Sequence, residues 1–247
     1  MENLLKENER IDDLEYKDLK IIQNKDGFCF GIDSVLLSDF AKDIRNNAKV
    51  IDLGTGTGIL PILLCGKTNL SKIYGIEIQK DVAEMATRSV KLNKLENKIE
   101  IINTNIKEID NILEKNKFEA IVTNPPYKKI NSGIINENEK KLISRHEITA
   151  SLEDFIKIGF KMLKDKGAFY MVHRPERLVD IISLLRQNKL EPKVIRMVYS
   201  NEESKSVLVL IKAVKNGKEF LNFEKPLFVY DKQGNYTEEI LKIYNKI

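Results

Sequence analysis

Residues 49–58 read Lys-Val-Ile-Asp-Leu-Gly-Thr-Gly-Thr-Gly, a short apolar run that ends in three alternating glycines. The run Lys49–Leu53 is typical of a buried strand, and the apolar residues from Gly58 to Gly66 predict a helix. Glycines accept backbone torsions that side chains forbid, and they let the chain approach a ligand closely. This stretch therefore predicts a strand, a tight turn at a ligand and a helix, the first unit of an α/β fold.

Strand and helix patterns alternate from this turn to about residue 190. Repeated strand–helix–strand units predict a parallel sheet with helices on both faces. Two β-rich runs near the end, separated by a polar turn, predict a closing antiparallel hairpin. We therefore expect an α/β, Rossmann-like fold with a seven-stranded, mostly parallel sheet. Its predicted strands are Lys49–Leu53, Lys72–Ile76, Ile99–Ile102, Phe118–Val122, Ala168–Val172, Lys193–Tyr199 and Val207–Lys212.

Apolar positions at helical spacing predict the helices between these strands. Beyond the helix that follows the glycines, the expected helices are Asp81–Asn93 with Asp81 as its cap, a short helix Ile106–Leu113, Ser151–Leu163 with a capping box between Ser151 and Asp154, and Pro175–Asn188.

Length and composition favour one domain. At 247 residues, with 42% hydrophobic and 32% charged residues, the chain can bury one substantial core. We expect a single domain over 1–247, with an N-terminal extension (1–48) that covers a cofactor, a core (49–213) and a C-terminal tail (214–247). The net charge of +4 permits a nucleic-acid partner without requiring one.

Cysteine and histidine are scarce in the chain. The two cysteines, Cys29 and Cys65, lie in apolar surroundings without metal-ligand spacing, and the only histidines are His146 and His173. We therefore expect neither a disulfide framework nor a metal site, but a reduced, cytoplasmic setting. No apolar run approaches the roughly 18 residues of a membrane-spanning helix, so no membrane partner is expected.

The glycine turn and the acid after it predict a nucleoside-type cofactor site. The spacing GxGxG is neither the GxGxxG of a dinucleotide fold nor a P-loop, because no Lys-Ser/Thr follows. Glu77 ends the next predicted strand, where a carboxylate can accept both ribose hydroxyls. Asp52 could bind near a cationic amino-acid end of the cofactor. After the third strand, Asn105 stands where an acceptor would meet the adenine amine of the cofactor.

A second motif, Asn124-Pro125-Pro126-Tyr127, follows the fourth predicted strand. An exocyclic aromatic amine is a poor nucleophile because its lone pair is delocalised into the ring. Two acceptors, the Asn124 side-chain oxygen and the Pro125 carbonyl, would favour a pyramidal, nucleophilic nitrogen. The prolines stiffen the loop, and Tyr127 offers a ring on which an unstacked base can lie. On this interpretation the ring matters and the hydroxyl does not, so Tyr127→Phe should keep most activity.

At these residues the chain resembles the class I methyltransferases, and more narrowly the bacterial tRNA (adenine-N6)-methyltransferases that modify adenosine 37 of valine tRNA. The resemblance implies S-adenosyl-L-methionine as cofactor, tRNA as partner and N6-methylation of adenine as the reaction. It also implies that Gly31 and Asp33 fold over the cofactor, and Asn105 departs from the family's common Asp. The segments that carry it are Phe30–Leu37, Asp52–Gly58, Asn124–Tyr127, Arg145 with the residues after it, and Pro226–Asp231.

The candidate site residues fall into three groups. The catalytic group is the Asn124–Tyr127 motif, and Lys128, Lys129 and Arg145 are expected to position RNA phosphates, because they flank that motif. The expected cofactor-binding residues are Gly31, Asp33, Asp52, Gly54, Thr55, Gly56, Gly58, Glu77, Ile78, Asn105, Ile106 and Asn124.

Other functions remain open on sequence grounds. A protein-glutamine N5-methyltransferase shares the Asn124–Tyr127 motif, because a glutamine amide also presents a planar NH2 group. It would carry a larger helical region than the roughly fifty residues that precede Asp52 here. A ribosomal RNA guanine-N2 methyltransferase is a closer alternative, although such enzymes tend to have Phe at the position of Tyr127. A non-catalytic RNA-binding protein on this fold would be expected to lose Glu77 or Asn124, and both are present.

Overall fold

The computed structural model describes residues 4–25, 31–127 and 150–247. Its strands are β1 (Glu9–Asp13), β2 (Lys20–Asn24), β3 (Lys49–Leu53), β4 (Lys72–Glu77), β5 (Ile99–Asn103), β6 (Phe118–Thr123), β7 (Leu163–His173), β8 (Leu190–Tyr199), β9 (Ser206–Lys215), β10 (Asn222–Phe223) and β11 (Leu227–Phe228). Its α-helices are α1 (Ile32–Phe40), α2 (Ile59–Lys67), α3 (Lys80–Leu92), α4 (Leu152–Met162), α5 (Leu178–Gln187) and α6 (Glu238–Ile243). Two 3₁₀ helices span Ile106–Asn111 and Pro175–Arg177.

The central sheet has the predicted parallel core and antiparallel end. Its strand order is β10-β8-β9-β7-β6-β3-β4-β5, and β11 also pairs with β8. Strand β9 is antiparallel to β7 and β8, and the other pairs are parallel. The predicted α/β fold is confirmed, but the described sheet has nine strands rather than seven. The two additional strands, β10 and β11, are only two residues long and therefore leave no periodic signal in the sequence.

Strand β3 lies in the interior of the sheet, between β4 and β6. Leu53 pairs with Ile76 on one side and with Thr123 on the other, and Glu77 pairs with Asn103 one strand further out. The carboxyl ends of four parallel strands therefore meet at one edge of the sheet. This edge is where ligands bind in open α/β sheets.

Two hydrophobic clusters cover the two faces of the sheet. Successive side chains of a strand point to opposite faces, so Val50 belongs to one cluster and Ile51 to the other. Helices α1, α2 and α6 contribute to the first cluster, and α4 and α5 contribute to the second. The sheet is thus buried on both sides, as the repeated strand–helix–strand units predict. No helix within the described ranges is long and apolar enough to cross a membrane.

Local capping confirms one expectation and corrects another. The capping box between Ser151 and Asp154 is present at the start of α4. The prediction that Asp81 caps α3 is wrong, because α3 begins at Lys80 and Asp81 lies in its first turn. Gln79 is the N-cap residue and stays extended, since its backbone N–H donates to the Glu77 carboxylate at 2.9 Å.

The short helix predicted at Ile106–Leu113 is a 3₁₀ helix that ends at Asn111. The other predicted helices agree with α2, with α4 and, after one 3₁₀ turn at Pro175, with α5.

The N-terminal hairpin packs on α3. The backbone N–H of Ile22 donates to the Ser89 hydroxyl at 3.0 Å, and Arg88 forms an ion pair with Glu9 at 2.5 Å. Asp33, in the first turn of α1, lies within hydrogen-bonding distance of Tyr127 at the carboxyl edge of the sheet. That the extension 1–48 covers a cofactor stays a prediction, and residues 1–3 and 26–30 of it lie outside the described residues.

Candidate active site

The three glycines after β3 form the tight turn that the sequence predicts. Gly54, Gly56 and Gly58 have φ angles of 74°, 56° and 88°, the left-handed region that favours glycine. The backbone N–H groups of Gly54 and Thr55 donate to the Ile76 carbonyl at 3.0 and 2.9 Å, which holds the turn over the end of β4. A Cβ atom at Gly56 would meet no atom within 4 Å, so this part of the turn faces open space.

Glu77 is buried at the end of β4 and is fixed by backbone donors. One carboxylate oxygen accepts from the Gly56 N–H at 3.0 Å, and the other accepts from the Gln79 N–H at 2.9 Å. The Gln79 side-chain amide also donates to this second oxygen, at a longer 3.4 Å. Because a carboxylate has about four acceptor positions, the oxygen bonded to Gly56 can still accept a hydrogen bond, and a ligand hydroxyl could replace the long Gln79 bond. The structure therefore places a pre-oriented carboxylate beside the glycine turn.

Asn103 is a site residue to which the sequence reasoning gave no role. Its side-chain amide donates to the backbone carbonyls of Glu77 and Ile78, both at 2.9 Å. These bonds tie the end of β5 to the end of β4 and fix the backbone that carries the Glu77 carboxylate. The Ile78 side chain that follows is 41% exposed, which leaves an apolar surface beside the carboxylate.

Asp52 is fully buried at the carboxyl end of β3, and its two carboxylate oxygens have no hydrogen-bond partner among the described residues. The buried hydroxyl of Thr55 likewise has none. Burial raises the pKa of Asp52 to about 7; the nearby Thr55 hydroxyl opposes this shift, and the negative charge of Glu77 adds to it. Buried polar groups are normally satisfied, and strongly shifted carboxyls concentrate at functional sites. This pair fits a ligand that brings a cationic donor, such as an ammonium group.

Asn105 and Ile106 lie just beyond β5, next to the Glu77 edge. The Asn105 side-chain oxygen accepts from the Lys107 N–H at 3.0 Å and caps the 3₁₀ helix, while Ile106 is buried beneath it. The Asn105 oxygen therefore has a local structural task, and one further lone pair remains for another donor.

The Asn124–Tyr127 motif begins directly after β6, beside the glycine turn. The Thr123 hydroxyl donates to the Leu53 carbonyl at 2.8 Å and ties the two strand ends together. Pro125 is buried and Pro126 is exposed. The Tyr127 hydroxyl lies 2.8 Å from the Asn124 side-chain oxygen and 2.5 Å from a carboxylate oxygen of Asp33. The structure thus brings Asp33, at the start of α1, into the motif.

The Tyr127 ring contacts two residues at the end of β7. The His173 ring lies 5.1 Å away between centroids, and the Arg174 guanidinium lies over the Tyr127 ring at 5.0 Å. Burial and the charge of Arg177 lower the pKa of His173 to about 4, so this histidine is neutral at physiological pH. Because β7 is the neighbour of β6 in the sheet, strand order could have placed His173 and Arg174 here.

Three predicted site residues, which were expected to contact RNA phosphates, lie outside the described residues. They are Lys128, Lys129 and Arg145. Within the described ranges, no cluster of three or more His, Cys, Asp or Glu residues could hold a metal ion.

Several solved structures with a similar fold are named methyltransferases. A predicted O-methyltransferase from Agrobacterium tumefaciens matches with a TM-score of 0.68 and 20% identity, over 86% of this chain and 95% of that one. TYW2 of M. jannaschii, solved in complex with AdoMet, matches with a TM-score of 0.57 and 16% identity, over 85% of this chain and 86% of that one. The fold is therefore that of the class I methyltransferases, as the sequence predicts.

The Methyltransferase small domain family matches residues 30–188, and the chain belongs to this family. It is similar to the tRNA1(Val) (adenine(37)-N6)-methyltransferase of Parabacteroides distasonis, with 27% identity over 72% of this chain and 73% of the relative. The enzyme of the same name from Porphyromonas gingivalis is 24% identical, over 94% of this chain and 93% of the relative. The expectation of a methyltransferase is thereby confirmed.

The buried carboxyl at position 52 generates a pH-dependent prediction. Its pKa is raised to about 7 in the folded protein, so between an ordinary carboxyl pKa near 4 and pH 7 the folded state binds more protons than the unfolded state. Stability from this group therefore falls as the pH rises through that window. Asp52→Asn should raise the free energy of unfolding by on the order of a few kcal/mol at pH 8, and by much less at pH 5. Urea unfolding at both pH values measures the difference.

Asp110→Asn is the matched control. Ion pairs with Lys161 and Lys115 lower the pKa of Asp110, so this group is already ionised throughout the window. Its replacement should lower stability by the same amount at pH 5 and pH 8. If the free energies of unfolding of wild type and Asp52→Asn differ by the same amount at pH 5 and pH 8, the raised pKa of Asp52 is contradicted.

Proposed function

We propose that this protein transfers a methyl group from S-adenosylmethionine to N6 of an adenine in tRNA, at adenosine 37 of valine tRNA. The observation that carries the proposal is the position of the Asn124–Tyr127 motif. It begins where β6 ends, and the Thr123–Leu53 bond holds it beside the glycine turn of β3. The names of the relatives supply the substrate: adenine 37 of a valine tRNA.

The residues at the carboxyl edge of the sheet fit the proposed cofactor. Asp52 and Thr55 offer buried acceptors without partners to its ammonium group, and the open backbone at Gly56 allows close approach. The Glu77 carboxylate would accept the two ribose hydroxyls, and the exposed Ile78 side chain would pack on the adenine. When bound, the cofactor supplies an electrophilic methyl group on a positively charged sulfur. The remaining proposed cofactor contacts are Gly31, Asp33, Gly54, Gly58, Asn105, Ile106 and Asn124.

The proposed catalytic step depends on hydrogen-bond acceptors at the target nitrogen. The Asn124 side-chain oxygen and the Pro125 carbonyl would each accept one hydrogen of the adenine amino group. Both bonds strengthen as the nitrogen becomes pyramidal, so they stabilise the transition state more than the ground state. Tyr127 with Arg174 over its ring presents a planar, cationic surface for the extruded base.

RNA binding would use positive charge near this edge of the sheet. Arg174 is exposed beside Tyr127, and Lys128, Lys129 and Arg145 flank the same motif in sequence. Phosphate contacts of this kind position an RNA without reading its sequence. We further propose that the whole chain acts as one methyltransferase domain in the cytoplasm, where its tRNA substrate is found.

Replacing Asn124 and Glu77 should affect different kinetic constants. Asn124→Ala should lower kcat by about two orders of magnitude, because it removes an acceptor that acts mainly in the transition state. Glu77→Ala should instead weaken cofactor binding by about 1.5–3 kcal/mol, the range for a hydrogen bond to a charged group. Calorimetry with the cofactor and initial rates on tRNA measure the two effects. Equal losses of affinity in both variants would contradict the assignment of Asn124 to the chemical step.

The proposed substrate can be tested with defined RNAs. Valine tRNA transcribed with adenosine at position 37 should accept labelled methyl groups from the cofactor, and the same transcript with guanosine 37 should accept almost none. Methylation of both transcripts would place the target elsewhere in the tRNA. Labelling of a release factor, or of guanine in ribosomal RNA, with neither transcript labelled, would favour the alternative methyltransferases.

A further inference from the structure

The Tyr127 hydroxyl lies between two acceptors but carries only one proton. Its oxygen is 2.5 Å from the Asp33 carboxylate and 2.8 Å from the nearer terminal atom of the Asn124 side-chain amide. Burial, and then the charge of Asp33, raise the pKa of Tyr127 far above its ordinary value, so the hydroxyl stays protonated. It can donate to one of these neighbours and must accept from the other, if both contacts are hydrogen bonds.

The proton of Tyr127 belongs on the bond to Asp33. Hydrogen bonds to a carboxylate are shorter and stronger than those to a neutral amide, and the Asp33 contact is the shorter of the two. The oxygen and nitrogen of an asparagine amide are assigned from their hydrogen-bond partners. With the proton on the Asp33 side, the Asn124 NH2 group must face Tyr127 and donate to its oxygen. The Asn124 oxygen then occupies the opposite side of the amide.

We propose that Asp33 is a positioning residue, which acts through the Tyr127 hydroxyl to hold the Asn124 amide with its oxygen free for the target amine. This inference rests on the proposed function and adds a role for the hydroxyl, which sequence reasoning had treated as dispensable. Without the carboxylate, the Tyr127 proton would turn to Asn124 and attract its oxygen. The amide would then rotate and present its NH2 group to the target amino group, which itself offers only N–H donors.

The surrounding contacts hold this chain of three residues in place. Asp33 lies in the first turn of α1, and the next turns of that helix bury Val35, Leu36 and Leu37 against the sheet. The Tyr127 ring is fixed by Arg174, whose guanidinium also donates to the Val207 carbonyl at 3.0 Å. The Tyr127 hydroxyl is therefore held in position by neighbours that are themselves fixed by packing and hydrogen bonds.

A double-mutant cycle tests this relay, which runs from Asp33 through the Tyr127 hydroxyl to the Asn124 amide. The cycle measures whether a second substitution rescues the first, which loss of structure alone would not produce. With cofactor at saturation, Asp33→Ala should lower the single-turnover rate about tenfold, and a further increase in cofactor concentration should not restore the rate. Adding Tyr127→Phe removes the hydroxyl that misdirects Asn124, so the double variant should be faster than Asp33→Ala alone. Tyr127→Phe by itself should be slower than wild type but faster than Asp33→Ala.

Asp43 and Tyr170 provide a matched control pair. The Tyr170 hydroxyl donates to Asp43 at 2.7 Å, so the pair has the same chemistry and joins the region after α1 to β7. Within the described residues, no hydrogen bond, ion pair or ring contact joins either residue to Asn124 or to another proposed site residue. Asp43→Ala should reduce the rate little, and Tyr170→Phe should give no rescue.

Three results would overturn the relay. These are additive losses in the Asp33/Tyr127 cycle, a rate of Asp33→Ala that returns to the wild-type value as the cofactor concentration is raised, or an equal effect in the Asp43/Tyr170 cycle. If wild-type protein methylates no RNA, the proposed function fails, and the relay has to be tested without activity, by NMR. The side-chain NH2 signal of Asn124, identified by its loss in Asn124→Asp, should report a hydrogen bond in wild type. An unchanged signal in both Tyr127→Phe and Asp33→Ala would contradict the relay.

Discussion

The parallel, in-register pairing of β4, β3 and β6 is the constraint on which the site depends. Because Leu53 pairs with both Ile76 and Thr123, the residues that follow these three strands must emerge side by side. The glycine turn, Glu77 and Asn124 are far apart in sequence and become neighbours only through this pairing. The Thr123–Leu53 and Asn103–Glu77 bonds then fix the strand ends, so the functional side chains project from a rigid edge.

Some features at this edge of the sheet lower the free energy of unfolding of the ligand-free protein. A buried carboxyl without donors at Asp52 costs free energy in the isolated protein, and a ligand with a cationic group would recover it. The three positive φ angles of the turn restrict its positions to glycine, because other residues would adopt them only at a cost in free energy. Local costs such as the buried Asp52 carboxyl are expected at a binding site rather than in a core. The rest of the sheet, buried on both faces, supplies the stability that these features reduce.

Much of the fold and part of the site could be predicted from sequence, because both rest on local signals. The glycine turn can be recognised from its residue types, and the Ser151 capping box can be recognised from the spacing of Ser151 and Asp154. The Asp81 cap was wrong because the carboxylate of Glu77 keeps Gln79 extended, and this contact depends on tertiary structure. Strands β10 and β11 were missed because two residues carry no periodicity. The contact of Tyr127 with Asp33 joins the motif after β6 to α1, and no sequence spacing encodes it. Strand order could have brought Arg174 near the motif, but not its guanidinium over the Tyr127 ring.

The central claim is that the edge of the sheet around Asn124 methylates the exocyclic amine of adenine in RNA. Nucleoside mass spectrometry of unmodified tRNA, incubated with the protein and methyl-deuterated S-adenosylmethionine, tests it most directly. The account predicts that N6-methyladenosine appears with the deuterated methyl group, and that Asn124→Ala nearly abolishes it. Deuterated label in any other nucleoside, with none in N6-methyladenosine, would contradict the account.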